Sequence, residues 1–343
     1  MEYNNVCLDT LAYELAPRVI SSEEIEKRLA PLYQRLGLRT GRLELMSGIQ
    51  TRRLWKPGTR PSQAATMAGE KALVQSDIDP KEINCLIFCS VSKDMLEPAT
   101  AAFVHRNLGL SSSALLFDVS NACLGFLDGM ILLANMIELG QVDNGLIVSG
   151  ETAEELLEST LALLVSDTSL TRKTIKPAFA SLTIGSGAIA AYIRKTEPVE
   201  KGIRLVHGTW QANTQHNDLC RGGQEYKSTL MTTDSEELLH RGVETALATW
   251  RRFSEKKGWT ADEIDNFFCH QVGSAHAKLL FETLGLPPEK NYETLRHLGN
   301  VGSVSAPITM AMAIEHGVFI PGNKGALLGI GSGINTMMLG VEW

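Results

Sequence analysis

The chain carries no excess of positive charge, no long apolar run and no closely paired cysteines, and each absence removes a class of protein. Its 343 residues have a formal net charge of -7 and a pI near 5.7, which argues against a general nucleic-acid binder, whose affinity rests on neutralising phosphates. No uninterrupted apolar stretch approaches the ~20 residues that span a bilayer, so no membrane span is expected. The opening "MEYNNVCLDTLAYELAP" lacks the basic and apolar regions of a secretory signal, and a cytoplasmic location is the expectation. The six cysteines (Cys7, Cys85, Cys89, Cys123, Cys220, Cys269) are scattered without a zinc-like CxxC pair, so reduced thiols and no metal are expected.

What is present is an ordinary globular composition, 44% hydrophobic and 21% charged, long enough for one large domain or two fused halves. An internal repeat favours the second. "EINCLIFCSVS" (82–92) is echoed by "EIDNFFCHQVG" (263–273), and "NLGLSS" by "TLGLPP". "CLGFLDGMILLANMIELGQVDNGLIVSGE" has its counterpart in "NVGSVSAPITMAMAIEHGVFIPGNKGALLGIGSG", each reading as helix, glycine stop, turn and apolar strand. Aligning Gly140 with Gly317 places Cys123 opposite Asn300, and aligning Glu82 with Glu263 places Cys89 opposite His270. Continuous apolar strands alternating with helices predict mainly parallel sheets covered on both faces. The expected fold is an α/β body of two pseudo-symmetric halves in αβαβα layers, residues 1–196 and 197–343. An insertion near 151–177, an amphipathic helix followed by a polar loop, is either a lid or decoration. "CLIFC" alternates as a strand does, which turns Cys85 and Cys89 to the core.

Cys123 falls between a strand, "LLFDVS", and an apolar helix. A helix N-terminus there lowers a thiol pKa, and Ser120, Ala122 and Gly125 leave room for a substrate; the plain alternative is a buried inert thiol. His270 follows the matching strand in the second half, and carboxyl ends of strands collect ligands, against the plain reading of a core histidine. Asn300, in "HLGNVGSVSAP", is either a turn former or, by its symmetry with Cys123, part of a site. "GIGSGIN" (329–335) is a glycine-rich turn that lets a backbone N–H approach a reacting carbonyl.

With "NACLGF", "CHQVG" and "GNVGSVSAP" in this order, the chain resembles the thiolase-fold β-ketoacyl synthases of the type III, FabH-like group over essentially its whole length. "RRLW", "SVSKDMLEPAT", "LCRG" and "LLGIGSGIN" are similar to the OleA-like branch, which condenses two fatty acyl-CoAs head to head. The resemblance implies an acyltransferase of lipid metabolism. Cys123 carries an acyl group covalently, and the N–H groups of Cys123 and Ser332 form its oxyanion hole. His270 and Asn300 donate to the thioester oxygen of the second acyl group. Glu97, in "DMLEPAT", acts as a base whose pKa an apolar setting raises, reaching the site of a partner subunit in a homodimer; its plain alternative is a surface acid before Pro98.

The branch also implies CoA thioesters as substrates and no tightly bound cofactor. The tryptophan and arginine that usually precede the "TGI" turn are not matched in "GRLELMSGIQTRRLW", which leaves Arg52, Arg53 and Trp55 as the candidate CoA contacts. Two other functions stay open on the sequence. One is a type III synthase joining acyl-CoA to malonyl acyl carrier protein, and the other is an inactive acyl-binding scaffold of the same fold.

Overall fold

The strands form where apolar residues are covered on both sides. In the computed structural model, which describes residues 1–196, 202–225 and 228–343, the first half supplies β1 (Val6–Leu15), β2 (Arg18–Ser21), β3 (Thr51–Leu54), β4 (Cys85–Cys89), β5 (Leu115–Val119), β6 (Asn144–Glu151) and β7 (Gly187–Lys195). The second half supplies β8 (Ile203–Ala212), β9 (Cys220–Glu225), β10 (Ser228–Thr233), β11 (Asn266–Cys269), β12 (Lys324–Gly331) and β13 (Asn335–Glu342). Every residue of β4 and of β11 is buried, so Cys85 and Cys89 face the interior as expected.

The hydrogen-bonded order is β11-β12-β13-β8-β1-β7-β6-β4-β5. Each half repeats one pattern, with β4, β6, β7 and β1 answered by β11, β12, β13 and β8. The fifth strand of the second half survives as one parallel bridge, Phe267 to Asn291, on the side of β11 where β5 flanks β4. The halves meet between β1 and β8, where Cys7 pairs with Arg204 and Leu8 with Ile203.

The expectation of mainly parallel sheets is corrected. β4 runs parallel to β5 and β6, and β11 parallel to β12, but β7 and β13 return antiparallel beside β6 and β12. From β12 to β13 the chain turns within Ser332–Ile334, too short for the crossover that a parallel partner needs.

The layers follow from what each helix buries. Helices Gly125–Glu138 and Ser305–Glu315 are apolar nearly all round and share one core with strands of both halves. Helix Pro61–Ser76 covers the outer face of the first half's strands, and Ser235–Lys257 that of the second. The insertion near 151–177 begins as a packed element. Its helix Glu154–Ser166 packs Leu157, Leu161 and Leu164 against Ile25, Leu29 and Leu32 in a separate apolar lobe. Among the described residues no helix is long and apolar enough to cross a membrane.

Candidate active site

Between β5 and helix Gly125–Glu138 the chain makes a tight turn, with Leu124 N–H donating to Asn121 O at 3.0 Å and Gly125 N–H to Ala122 O at 3.3 Å. Ala122 sits at φ 48°, a left-handed conformation that costs an L-residue about 1–2 kcal/mol and is tolerated where a site requires it. It presents Cys123 at the carboxyl end of the sheet. The turn is pinned from both sides. Asn121 Nδ2 donates to Asp128 Oδ2 at 2.9 Å, and Asn335 Nδ2 donates to Asn121 Oδ1 at 3.0 Å.

The glycine-rich turn of the second half lies directly against this one. A Cβ on Gly329 would fall 2.4 Å from Leu124 Cδ2, and one on Gly331 3.0 Å from Leu124 Cγ. Glycine at these positions is therefore a packing requirement, and it lets the Ser332 segment close over the Cys123 turn.

The thiol does not behave as its place near a helix start suggests. Residue Cys123 keeps some exposed area, yet burial of the sulfur pushes its pKa up to about 12, with the Glu151 charge and Cys220 adding to the rise and its own N–H opposing it. Desolvation is the largest cause, and a thiol raised this far is neutral at pH 7. Asp128 is also pushed up, to about 6, by burial that the Asn121 hydrogen bond partly offsets.

His270 follows β11, its N–H donating to Leu328 O of β12 at 2.8 Å. Its Nδ1 is buried without a hydrogen-bond partner, as is Nε2 of His276. Burial first, then His276, brings the His270 pKa down to about 3, and burial brings His276 to about 4. Both rings are neutral at pH 7. Next in sequence, buried Gln271 accepts from Thr294 N–H at 2.9 Å and Leu295 N–H at 2.8 Å and donates to Tyr292 O at 2.8 Å, fixing the strand end.

Asn300 is held through its backbone, with N–H to Thr183 O at 3.0 Å and O accepting from Gly185 N–H at 2.8 Å. Gly299 before it has φ 70°, and a Cβ there would strike Thr183 O at 2.7 Å. Asn300 Oδ1 accepts from Gly302 N–H at 3.0 Å. The carboxamide is thus a turn former at its oxygen, which leaves Nδ2 as its donor end.

Glu151, at the end of β6, was not among the sequence candidates. It is 5% exposed, and it connects the Asn300 segment to the first half through Ser303 Oγ, 2.6 Å from its Oε1. The available sequence signal was slight, a lone acid closing the apolar run "GLIVSGE". Through Glu151, through the Leu124 contact and through the β11–β12 pairing, Cys123, Asn300, Ser332 and His270 are gathered at one end of the sheets. Cys220 lies close enough to Cys123 to raise its pKa, and its sulfur accepts from Thr233 Oγ1 at 3.4 Å.

Other candidates are placed differently. Glu97 is exposed, and so are its neighbours Met95, Leu96 and Pro98, so its own chain does not provide the apolar setting expected for it. The CoA-contact expectation for Arg52 and Trp55 is corrected. Arg52 is 0% exposed, its Nη2 donating to Ser22 Oγ at 2.9 Å, and Trp55 is 4% exposed with Nε1 donating to Glu151 O at 3.0 Å. Neither offers a face to a nucleotide. Arg53, half-buried, donates to Ala16 O at 3.1 Å. Among the described residues no cluster of metal-ligating side chains occurs.

Two family models match, 3-oxoacyl-[acyl-carrier-protein] synthase III over residues 117–214 and its C-terminal domain over residues 254–343. An acyl-CoA:acyl-CoA alkyltransferase of Shewanella oneidensis is 40% identical, and one of Xanthomonas campestris 39% identical, each over 100% of both chains. The crystal structure of a cysteine-to-serine variant of Xanthomonas campestris OleA with lauric acid and lauroyl-CoA bound superposes with a TM-score of 0.95 at 39% identity, covering 99% of this chain and 100% of that one. Full-length identity and a shared architecture carry one conclusion: the chain belongs to the 3-oxoacyl synthase III family of the thiolase fold, in its OleA-type branch of acyl-CoA:acyl-CoA alkyltransferases.

Proposed function

We propose that the protein catalyses a non-decarboxylative Claisen condensation of two fatty acyl-CoA thioesters, giving a 2-alkyl-3-ketoacyl-CoA and free CoA. In the first step Cys123 Sγ attacks the acyl carbonyl as its proton passes toward the departing CoA sulfur. The tetrahedral oxyanion accepts from the N–H groups of Cys123 and Ser332. CoA leaves with that proton, and the acyl group stays on sulfur. A resting thiol with a raised pKa suits concerted deprotonation better than a preformed thiolate.

In the second step an α-proton leaves the second acyl-CoA, and the enolate oxygen accepts from His270 and from Asn300 Nδ2. The α-carbon attacks the Cys123 acyl carbon, the C–S bond breaks, and the α-proton taken up by the base is returned to sulfur, restoring the thiol. The observation that carries this reading is the fixed carboxamide of Asn300. Its oxygen is occupied by Gly302 N–H, so the end left to bind a substrate is a donor, and a donor is what an enolate requires. The base is Glu97 supplied by a second copy, since its own chain leaves it exposed; the active form is then a homodimer. CoA contacts fall to residues other than the buried Arg52 and Trp55. The steps as written call for no tightly bound cofactor, and the location is cytoplasmic.

More distant relatives, 24–28% identical, are β-ketoacyl-[acyl-carrier-protein] synthases III, which makes malonyl acyl carrier protein the rival second substrate. Incubation with lauroyl-CoA alone separates the two. The expected result is CoA release with a condensed product; product that forms only after malonyl acyl carrier protein is added overturns the proposal. An unmodified Cys123 by mass spectrometry would instead point to a scaffold.

A further inference from the structure

Glu151 is a buried carboxylate held by neutral donors from both halves of the chain. Its Oε1 accepts from Val91 N–H at 2.9 Å, Ser303 N–H at 3.3 Å and Ser303 Oγ at 2.6 Å. Its Oε2 accepts from Ser92 N–H at 3.1 Å and Ser92 Oγ at 2.9 Å. Val91 and Ser92 root the exposed segment that leads to Glu97. Ser303 closes the segment that begins with Asn300, and between them Gly302 lies so near that a Cβ would sit 3.1 Å from Glu151 Cδ. Gly302 is also the residue whose N–H orients Asn300 Oδ1. A buried charge keeps such a position only where hydrogen bonds replace its hydration, and here all of them go to segments that carry the proposed machinery.

We propose that Glu151 is a positioning residue for the condensation step, one oxygen locking the Asn300–Ser303 segment to the root of the Glu97 segment. The donor of this chain's own site and the base it lends to the partner's site are thereby tied to each other. The inference rests on the reading of function given above. The same charge stands near Cys123 and favours its protonated form, which gives the residue a second, separable signature.

Glu151→Gln keeps the reach and removes the charge, whereas Glu151→Asp keeps the charge and loses one methylene of reach. Amide hydrogen exchange is expected to quicken about fivefold or more in both 91–99 and 300–304 of the Asp variant, with the rest of the chain unchanged. Condensation of lauroyl-CoA by the Asp variant is expected to fall about tenfold or more in kcat while the rate of Cys123 acylation stays within about threefold of wild type. The Gln variant is expected to move the midpoint of Cys123 alkylation by iodoacetamide to lower pH, and the Asp variant to leave it in place. Wild-type exchange in both segments overturns the proposal, and so does a loss of acylation and condensation in step with a general fall in melting temperature. If the wild type makes no product from lauroyl-CoA, the reading of function falls by itself. The exchange and alkylation measurements need no turnover and still decide the role of Glu151.

Discussion

On the proposed mechanism, replacing Asn300 with alanine removes one donor to the developing enolate, worth about 3 kcal/mol, so condensation is expected to drop on the order of a hundredfold. The acyl adduct on Cys123 should still form at near the normal rate. Quantifying CoA burst and product in one quench experiment separates the two, and an equal loss of both would remove Asn300 from the second step.

The histidines predict an acid limit. His270 and His276 both titrate below the ordinary value of 6.5, so as pH falls the unfolded chain takes up protons before the folded one. Stability present above pH 6.5 is then lost toward pH 4, at up to about 1.4 kcal/mol per unit for each group. Urea midpoints measured from pH 7 to 4.5 should fall along this course, and His276→Asn should flatten it. Cys123 has the opposite sign at the alkaline end. Its alkylation rate should go on rising well above pH 9, where an ordinary thiol has levelled off.

Legibility at this scale depended on whether a residue stands at a punctuation point of the chain. Cys123, His270 and Asn300 each follow a strand or precede a helix, and small residues mark the place. Arg52 reads as a CoA contact only because the resemblance places such contacts beside this turn. Yet "TRRL" alternates, and Arg52 shares its buried face with Leu54, a signal that the two-residue period of a strand contained. Glu151 looked like any solvated strand end, because its donors come from residues 60 and 152 positions away.

Among elements, the contact between the glycine-rich turn and the Cys123 turn is the most exacting. Gly329→Ala forces a methyl into Leu124, an overpacking that should cost about 1–3 kcal/mol. Leu124→Ala introduced with it should recover part of the loss, since residues in contact do not add independently. Denaturant titration of both single variants and the double variant gives the coupling; strict additivity would mean that the two turns do not touch. Strand direction was the feature of the elements that the sequence hid. A strand reads as continuously apolar when both its faces are covered, whichever way its neighbours run, so β7 and β13 looked like their parallel counterparts.

For the whole molecule, β5 ends the nine-stranded sheet among the described residues and its Leu115 is 48% exposed, an edge suited to strand pairing with a second copy. If Glu97 serves the neighbouring site, mixed dimers of Cys123→Ala and Glu97→Gln chains should regain activity that neither variant has alone. Co-expression with two different tags isolates such dimers, and inactivity in the purified mixed species would return Glu97 to its own chain or to no role. The two halves were legible because each repeats its neighbour's order of elements; their joint was not, since two residue pairs between β1 and β8 leave no trace in composition.

The central helices carry one more consequence. Gly125–Glu138 and Ser305–Glu315 find their apolar cover in a core built from both halves, so neither half alone can keep its own middle helix dry. The two similar halves therefore do not divide into independent units. Expressed separately they should be insoluble, and the joined chain should melt in a single cooperative transition.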